Sequence, residues 1–133
     1  MKNSNKAQQY LNHAVGDFNL AGKVSKKIPY ELLCFHAQQA AEKSLKAIFI
    51  KIDKPFPHTH NLERLLLLLS EEGINIPPVI QKAKLLTNYA TDTRYPGDYD
   101  PISKNEYKQA LSLAEKVLNW AKSIIEDKNG KLF

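Results

Sequence analysis

The chain has 133 residues, 43% of them hydrophobic and 25% charged, with one cysteine and a formal net charge of +5. It is long enough for one domain with its own core, and its longest apolar run, Leu65–Leu69, is far too short for a membrane span. One cysteine excludes an internal disulfide, and the Lys- and Asn-rich start lacks a signal-peptide core, so residues 1–133 are expected as a single cytoplasmic domain, with 4–127 as its ordered part.

Residues 4–25 read as the first helix, with Ser4 as its cap and Ala7, Leu11, Ala14, Phe18, Ala21 and Val24 recurring at steps of three and four. Pro29 precedes a second, central helix from Tyr30, uninterrupted by Gly or Pro as far as Lys54. Leu33, Ala37, Ala40, Ser44, Ala47 and Ile48 share one face. Cys34, Leu45, Phe49 and Ile52 widen it into the broad apolar arc of a helix packed on several sides. A thin polar stripe remains: His36, Gln39, Lys43 and Lys46, flanked by Glu42.

Pro55 and Pro57 force an extended connection through His58-Thr59-His60. Thr59 and Asn61-Leu62-Glu63 then open a short third helix ending at Gly73. Its five consecutive leucines go all round a helix, so they imply either a core covered on both sides or a subunit contact. Ile76-Pro77-Pro78 opens a fourth helix with Val79, Ile80, Ala83, Leu86 and Ala90 facing inward, stopped near Arg94-Tyr95-Pro96-Gly97. Ser103 and Glu106 form a capping box before the last helix, whose inward positions run from Tyr107 to Ile125, with Leu113 and Trp120 as an adjacent stripe. The fold class is all-α: an antiparallel bundle of four long helices plus one short helix.

Chemistry is confined to a few places. No Glu is followed three positions later by His, which closes the di-metal route of helical bundles, and no glycine-rich phosphate loop exists, so neither metal nor cofactor is expected. Polar groups converge instead from three segments: His36, Gln39, Lys43 and Lys46 on the central helix, His58 and His60 in the loop, and Arg94-Tyr95 with Asp92 and Tyr99 after the fourth helix. Arg94 is one of only two arginines, and it reads either as a neutraliser of a helix C-terminus or as a phosphate clamp. Lys43 and Lys46 are three apart on one side of their helix, so both heads are expected at a common point, with Gln39 one turn earlier to read a base or ribose edge.

The run Phe35-His36-Ala37-Gln38-Gln39-Ala40-Ala41-Glu42-Lys43-Ser44-Leu45-Lys46-Ala47, then Pro57-His58-Thr59-His60-Asn61-Leu62, then Thr93-Arg94-Tyr95-Pro96, closely resembles the HEPN domain family (higher eukaryotes and prokaryotes nucleotide-binding). That resemblance implies a helical bundle, usually a homodimer, often paired with a minimal nucleotidyltransferase in a two-component, toxin–antitoxin-like system. Many such relatives are metal-independent ribonucleases with an Arg followed, after four to six residues, by His. Here Tyr99, Asp100 and Pro101 stand at those positions after Arg94, and every histidine precedes both arginines. The reading is therefore a nucleotide- or RNA-binding protein with His36, Gln39, Lys43, Lys46, His60, Arg94 and Tyr95 at its phosphate site and no catalytic residue. Its rivals are a degenerate ribonuclease using Arg94 and Tyr99, and a pure protein-interaction subunit.

Overall fold

The computed structural model describes residues 2–90 and 100–126. Three long helices dominate: α1 (Lys2–Ala21), α2 (Tyr30–Lys51) and α5 (Lys104–Ile125). Between α2 and α5 come α3 (Leu62–Glu71), a single turn α4 (Pro78–Gln81) and a 3₁₀ helix, η1 (Lys82–Tyr89). The described chain is all-helical, and none of its helices is long and apolar enough to cross a membrane.

Helix α2 is central because alanine and serine fill most of the arc that would otherwise need clearance. Ala37, Ala40, Ala41, Ser44 and Ala47 are fully buried, and Ala7, Ala14 and Ala21 answer them from α1. Side chains this small let the helix backbones approach closely. Leu45, Ile48 and Phe49 are buried as well, and α2 also packs against α3 and α5. The aromatic rings of Tyr30 and Tyr107 stack at 4.9 Å, and the Ile102 amide donates to Glu31. The N-terminal ends of α2 and α5 thus meet at the C-terminal end of α1, and both helices run against it.

Helices α2 and α3 are both closed by paired backbone bonds. At the end of α2 the Lys54 amide reaches the Phe49 carbonyl and the Asp53 amide reaches Ile50, with Asp53 left-handed at φ 58°. The end of α3 repeats this through Ile74 to Leu69 and Gly73 to Ser70, and here glycine takes the left-handed position at φ 90°.

Several expectations shift in detail. Helix α1 starts at Lys2, which puts Ser4 inside it, and it stops at Ala21, leaving Val24 62% exposed. Asn61 caps α3, its Oδ1 accepting from the Arg64 amide, while Thr59 Oγ1 accepts from the Asn61 amide. The fourth helix is not one continuous α-helix: it winds α for one turn and then 3₁₀. At three residues per turn, Ala83, Leu86 and Tyr89 fall into one inward row, so the tighter winding suits this sequence. Val79, expected inside, is 39% exposed. Of the leucine run, Leu65, Leu66 and Leu69 are buried in the protein's own core and only Leu67 is largely exposed.

The buried Tyr107 hydroxyl donates to the Ala21 carbonyl at 2.6 Å, tying α5 to the last residue of α1. Burial, aided by the neighbouring Cys34 and Tyr30, raises its pKa, so it remains a donor. Tyr107→Phe should leave that carbonyl unpaired and cost about 1–3 kcal/mol in a urea melt, with the helical circular-dichroism spectrum unchanged.

Candidate functional site

The polar stripe of α2 is not a row of free groups. It is divided between two ion-paired clusters, one facing α1 and one facing the loop after α2.

On the α1 side Asp17 is the hub. One of its carboxylate oxygens accepts from His36 Nδ1 at 3.0 Å and the other from Lys43 Nζ at 2.7 Å. Asp17 is largely buried, with Ala14 and Ala21 one turn away on either side along the inward face of α1. On the loop side the hub is Glu42, only 4% exposed. Its Oε1 accepts from Gln38 Nε2 at 3.0 Å and His60 Nδ1 at 2.8 Å, and its Oε2 from Lys46 Nζ at 2.8 Å. Gln38 Nε2 also donates to the His60 carbonyl, and Gln38 Oε1 accepts from Gln39 Nε2 at 2.9 Å. Lys46 is further held over the Phe56 ring, 5.4 Å from its centroid. Among the described residues no buried side-chain nitrogen or oxygen lacks a hydrogen-bond partner.

Two chemical consequences follow. A carboxylate only accepts, so the Nδ1 of both histidines must carry the proton, and each ring presents Nε2 away from its hub. His60 is well exposed and His36 about one-third exposed, so both nitrogens can meet a solute. Burial pushes the Glu42 carboxyl upward, but the hydrogen bonds from Lys46, Gln38 and His60 and the Lys46 charge outweigh it, leaving the pKa below its ordinary value. Glu42 is therefore ionised in the neutral range, and Asp17, Glu42, Lys43 and Lys46 sum to no net charge.

This geometry separates the residues singled out in the sequence. Lys43 and Lys46 do not converge: their ammonium groups turn to carboxylates on opposite sides of the stripe. Gln39 spends a donor on Gln38. His58 is exposed and stands outside both clusters. Arg94 and Tyr95, with Asp92 and Tyr99, lie outside the described residues. Asp17 and Gln38 take part in these clusters although they are not among the residues singled out in the sequence. Asp17 had a signal, because it is an acid in register with Ala14 and Ala21 on an apolar face, where it needs cationic or donor partners. No group of three or more His, Cys, Asp or Glu among the described residues is arranged to hold a metal.

Beside the Asp17 cluster a cavity of about 330 Å³ opens between α1 and α2, lined by Gln9, Tyr10, His13 and Lys43. It combines an aromatic surface, an amide, an imidazole and an ammonium. Lys43 belongs to both the cavity and the network, and it uses one of its three N–H donors on Asp17.

A helical bundle built on this central helix and its polar seam defines the class of protein. The chain belongs to the HEPN domain family, whose model matches residues 5–124. Among solved structures it is similar to an archaeal HEPN homologue, ST0689, at 26% identity and TM-score 0.72, over 90% of this chain and 98% of that one. It is also similar to TT1696 from Thermus thermophilus, at 29% identity and TM-score 0.62, over 92% and 94%. No curated protein matches the sequence.

Because the folded Glu42 pKa is depressed, its contribution to stability is present above the unfolded value, near 4.5, and is lost as pH falls through the lower folded value. Glu42→Gln leaves Lys46 without its counter-ion and should cost about 3 kcal/mol at pH 7. The gap to wild type should close on acidification below pH 4.5, which denaturant melts across the acid range would read.

Proposed function

We propose that this HEPN-family protein binds a nucleotide or RNA, without cleaving it, and works beside a minimal nucleotidyltransferase in a two-component, toxin–antitoxin-like pair. The supporting observation is the α1–α2 cavity, with Tyr10, Gln9, His13 and Lys43 around about 330 Å³. An aromatic side chain offers a base a stacking surface worth about 1–3 kcal/mol, and Lys43 keeps two N–H donors for a phosphate. The Nε2 atoms of His36 and His60 face outward on either side of the stripe and extend the donor surface when protonated. In this reading Arg94 supplies the second phosphate contact, Tyr95 accompanies it, and Lys46 and Gln39 hold the stripe in shape.

The absence of a histidine four to six residues after Arg94 favours binding over cleavage, since a phosphodiester transfer needs a group that titrates near neutrality beside the scissile phosphate. Tyrosine, with a pKa near 10, does not meet that need.

Calorimetry with mononucleotides and short single-stranded RNA should show binding that weakens about ten- to a hundredfold in Arg94→Ala and in Lys43→Ala, the scale of one charge-assisted contact. Lys84→Ala, on the exposed surface of η1, should leave affinity unchanged. Intact RNA after long incubation is the companion result. Cleavage abolished by Arg94→Ala would instead favour the ribonuclease reading, with Arg94 and Tyr99 as its residues.

A homodimer belongs to the same proposal, and Leu67, 59% exposed beside buried leucines, is its most direct support. Light scattering at micromolar concentration should give twice 15.1 kDa, falling to the monomer in Leu67→Glu.

A further inference from the structure

On another face of the molecule, η1 and the first half of α5 enclose a groove. Its two adjoining hollows have volumes of about 420 and 210 Å³ and share Leu85, Gln109 and Leu113. The groove shares no residue with the α1–α2 cavity.

The 3₁₀ winding builds one wall. At three residues per turn Lys82, Leu85 and Asn88 stand in a straight row, and all three line the groove. The opposite wall is α5, where Gln109, Leu113 and Lys116 follow at steps of four and three, with Lys108 and Ser112 beside them. Leu85 is 56% exposed at the lip of the hollow, and Leu113, also lining it, is half-buried. Lys82, Lys108 and Lys116 border the larger hollow, no acid lines it, and none of the three is paired with a carboxylate among the described residues. Glu106, at the far end, is occupied by the Tyr89 hydroxyl.

We propose that this groove docks an acidic amphipathic helix of a partner protein, seating its apolar residues on Leu85 and Leu113 and its carboxylates on Lys82, Lys108 and Lys116. Lys108 to Lys116 spans about 12 Å of α5 at 1.5 Å per residue, which sets the contact at about two turns of a bound helix. Charge selects against the alternatives. A second copy placed across a two-fold axis would bring these lysines against their own equivalents. Residues 127–133 of the same chain would bring two lysines against one aspartate. RNA would be met by leucines and point-charge lysines, with neither an arginine nor an exposed aromatic ring among the residues lining the larger hollow. An apolar anchor inside a cationic rim suits a helix with leucines at steps of three and four and Asp or Glu beside them.

The test is selection of a displayed library of randomised 16-residue helical peptides against the intact protein. Enriched peptides should place Asp and Glu around an apolar i, i+3/i+4, i+7 stripe. Synthetic copies should lose at least tenfold in affinity against Leu85→Glu and against the Lys108→Glu/Lys116→Glu double variant. Both variants alter exposed or rim positions, and an unchanged melting temperature confirms that they fold. Their light-scattering mass should equal that of wild type, whereas a drop in mass would assign the groove to self-association and overturn the proposal. Three other results also overturn it: no enrichment, enriched peptides without acidic bias, or binding insensitive to both variants. So does a twelve-nucleotide oligouridylate that binds more tightly than the peptides and is lost in the same variants.

Discussion

A carboxylate taken out of water must be met by donors, and Glu42 is the place where this protein accepts that constraint. It lies on the central helix with its charge retained, which requires an ammonium, an amide and an imidazole to be delivered to two oxygens. Two of the donors, Gln38 and Lys46, come from one helical turn on either side in the same helix, so they cost no long-range organisation. The third comes from His60, and it can arrive only if the chain after α2 turns back along the helix. The left-handed Asp53 and the prolines at 55 and 57 set that path, and the Gln38 bond to the His60 carbonyl holds its end in place. The entry to α3, and hence the burial of Leu62, Leu65 and Leu66, depends on the same connection.

Asp17 performs the equivalent task between α1 and α2. Its two partners lie seven residues apart on α2, about two turns, so one carboxylate spans both and fixes the relative height of the helices. Together the hubs make the polar edge of α2 a structure of charge-paired cations rather than a bare basic strip. A ligand there meets remaining donors, two outward-facing imidazole nitrogens and a hollow shaped by Tyr10, in place of a field of free charge.

Much of the architecture is readable from spacing. The long helices, the Pro29 start, the Gly73 stop and the Ser103 cap all follow from local rules, because each is decided by residues within a turn or two. The family is legible for a different reason, since its signature runs through residues that do structural work: Gln38, Glu42 and His60 are the network itself. What spacing does not carry is pairing across the fold. Lys43 and Lys46 look equivalent on a helical wheel, and only the position of α1 on one side and the returning loop on the other sends them apart. Asp17 sat in plain view on an apolar face, but its meaning depended on knowing what lay opposite. The 3₁₀ winding of η1 is harder to foresee, because its residues are also tied to distant elements: Tyr89 donates to Glu106 and Thr87 accepts from the Leu62 amide.

The alanine seam between α1 and α2 has a further effect, on where this protein can change. Alanine has no rotamers to lose, so these positions are buried at little side-chain entropic cost, and they are fully removed from solvent. Ala14 and Ala40 are both fully buried, so a larger side chain at either has no solvent to turn into and must be absorbed by the helices around it, near the salt bridges of Asp17. The seam thus works as a gauge block for the α1–α2 pair, held by residues that do not themselves line the cavity between the helices.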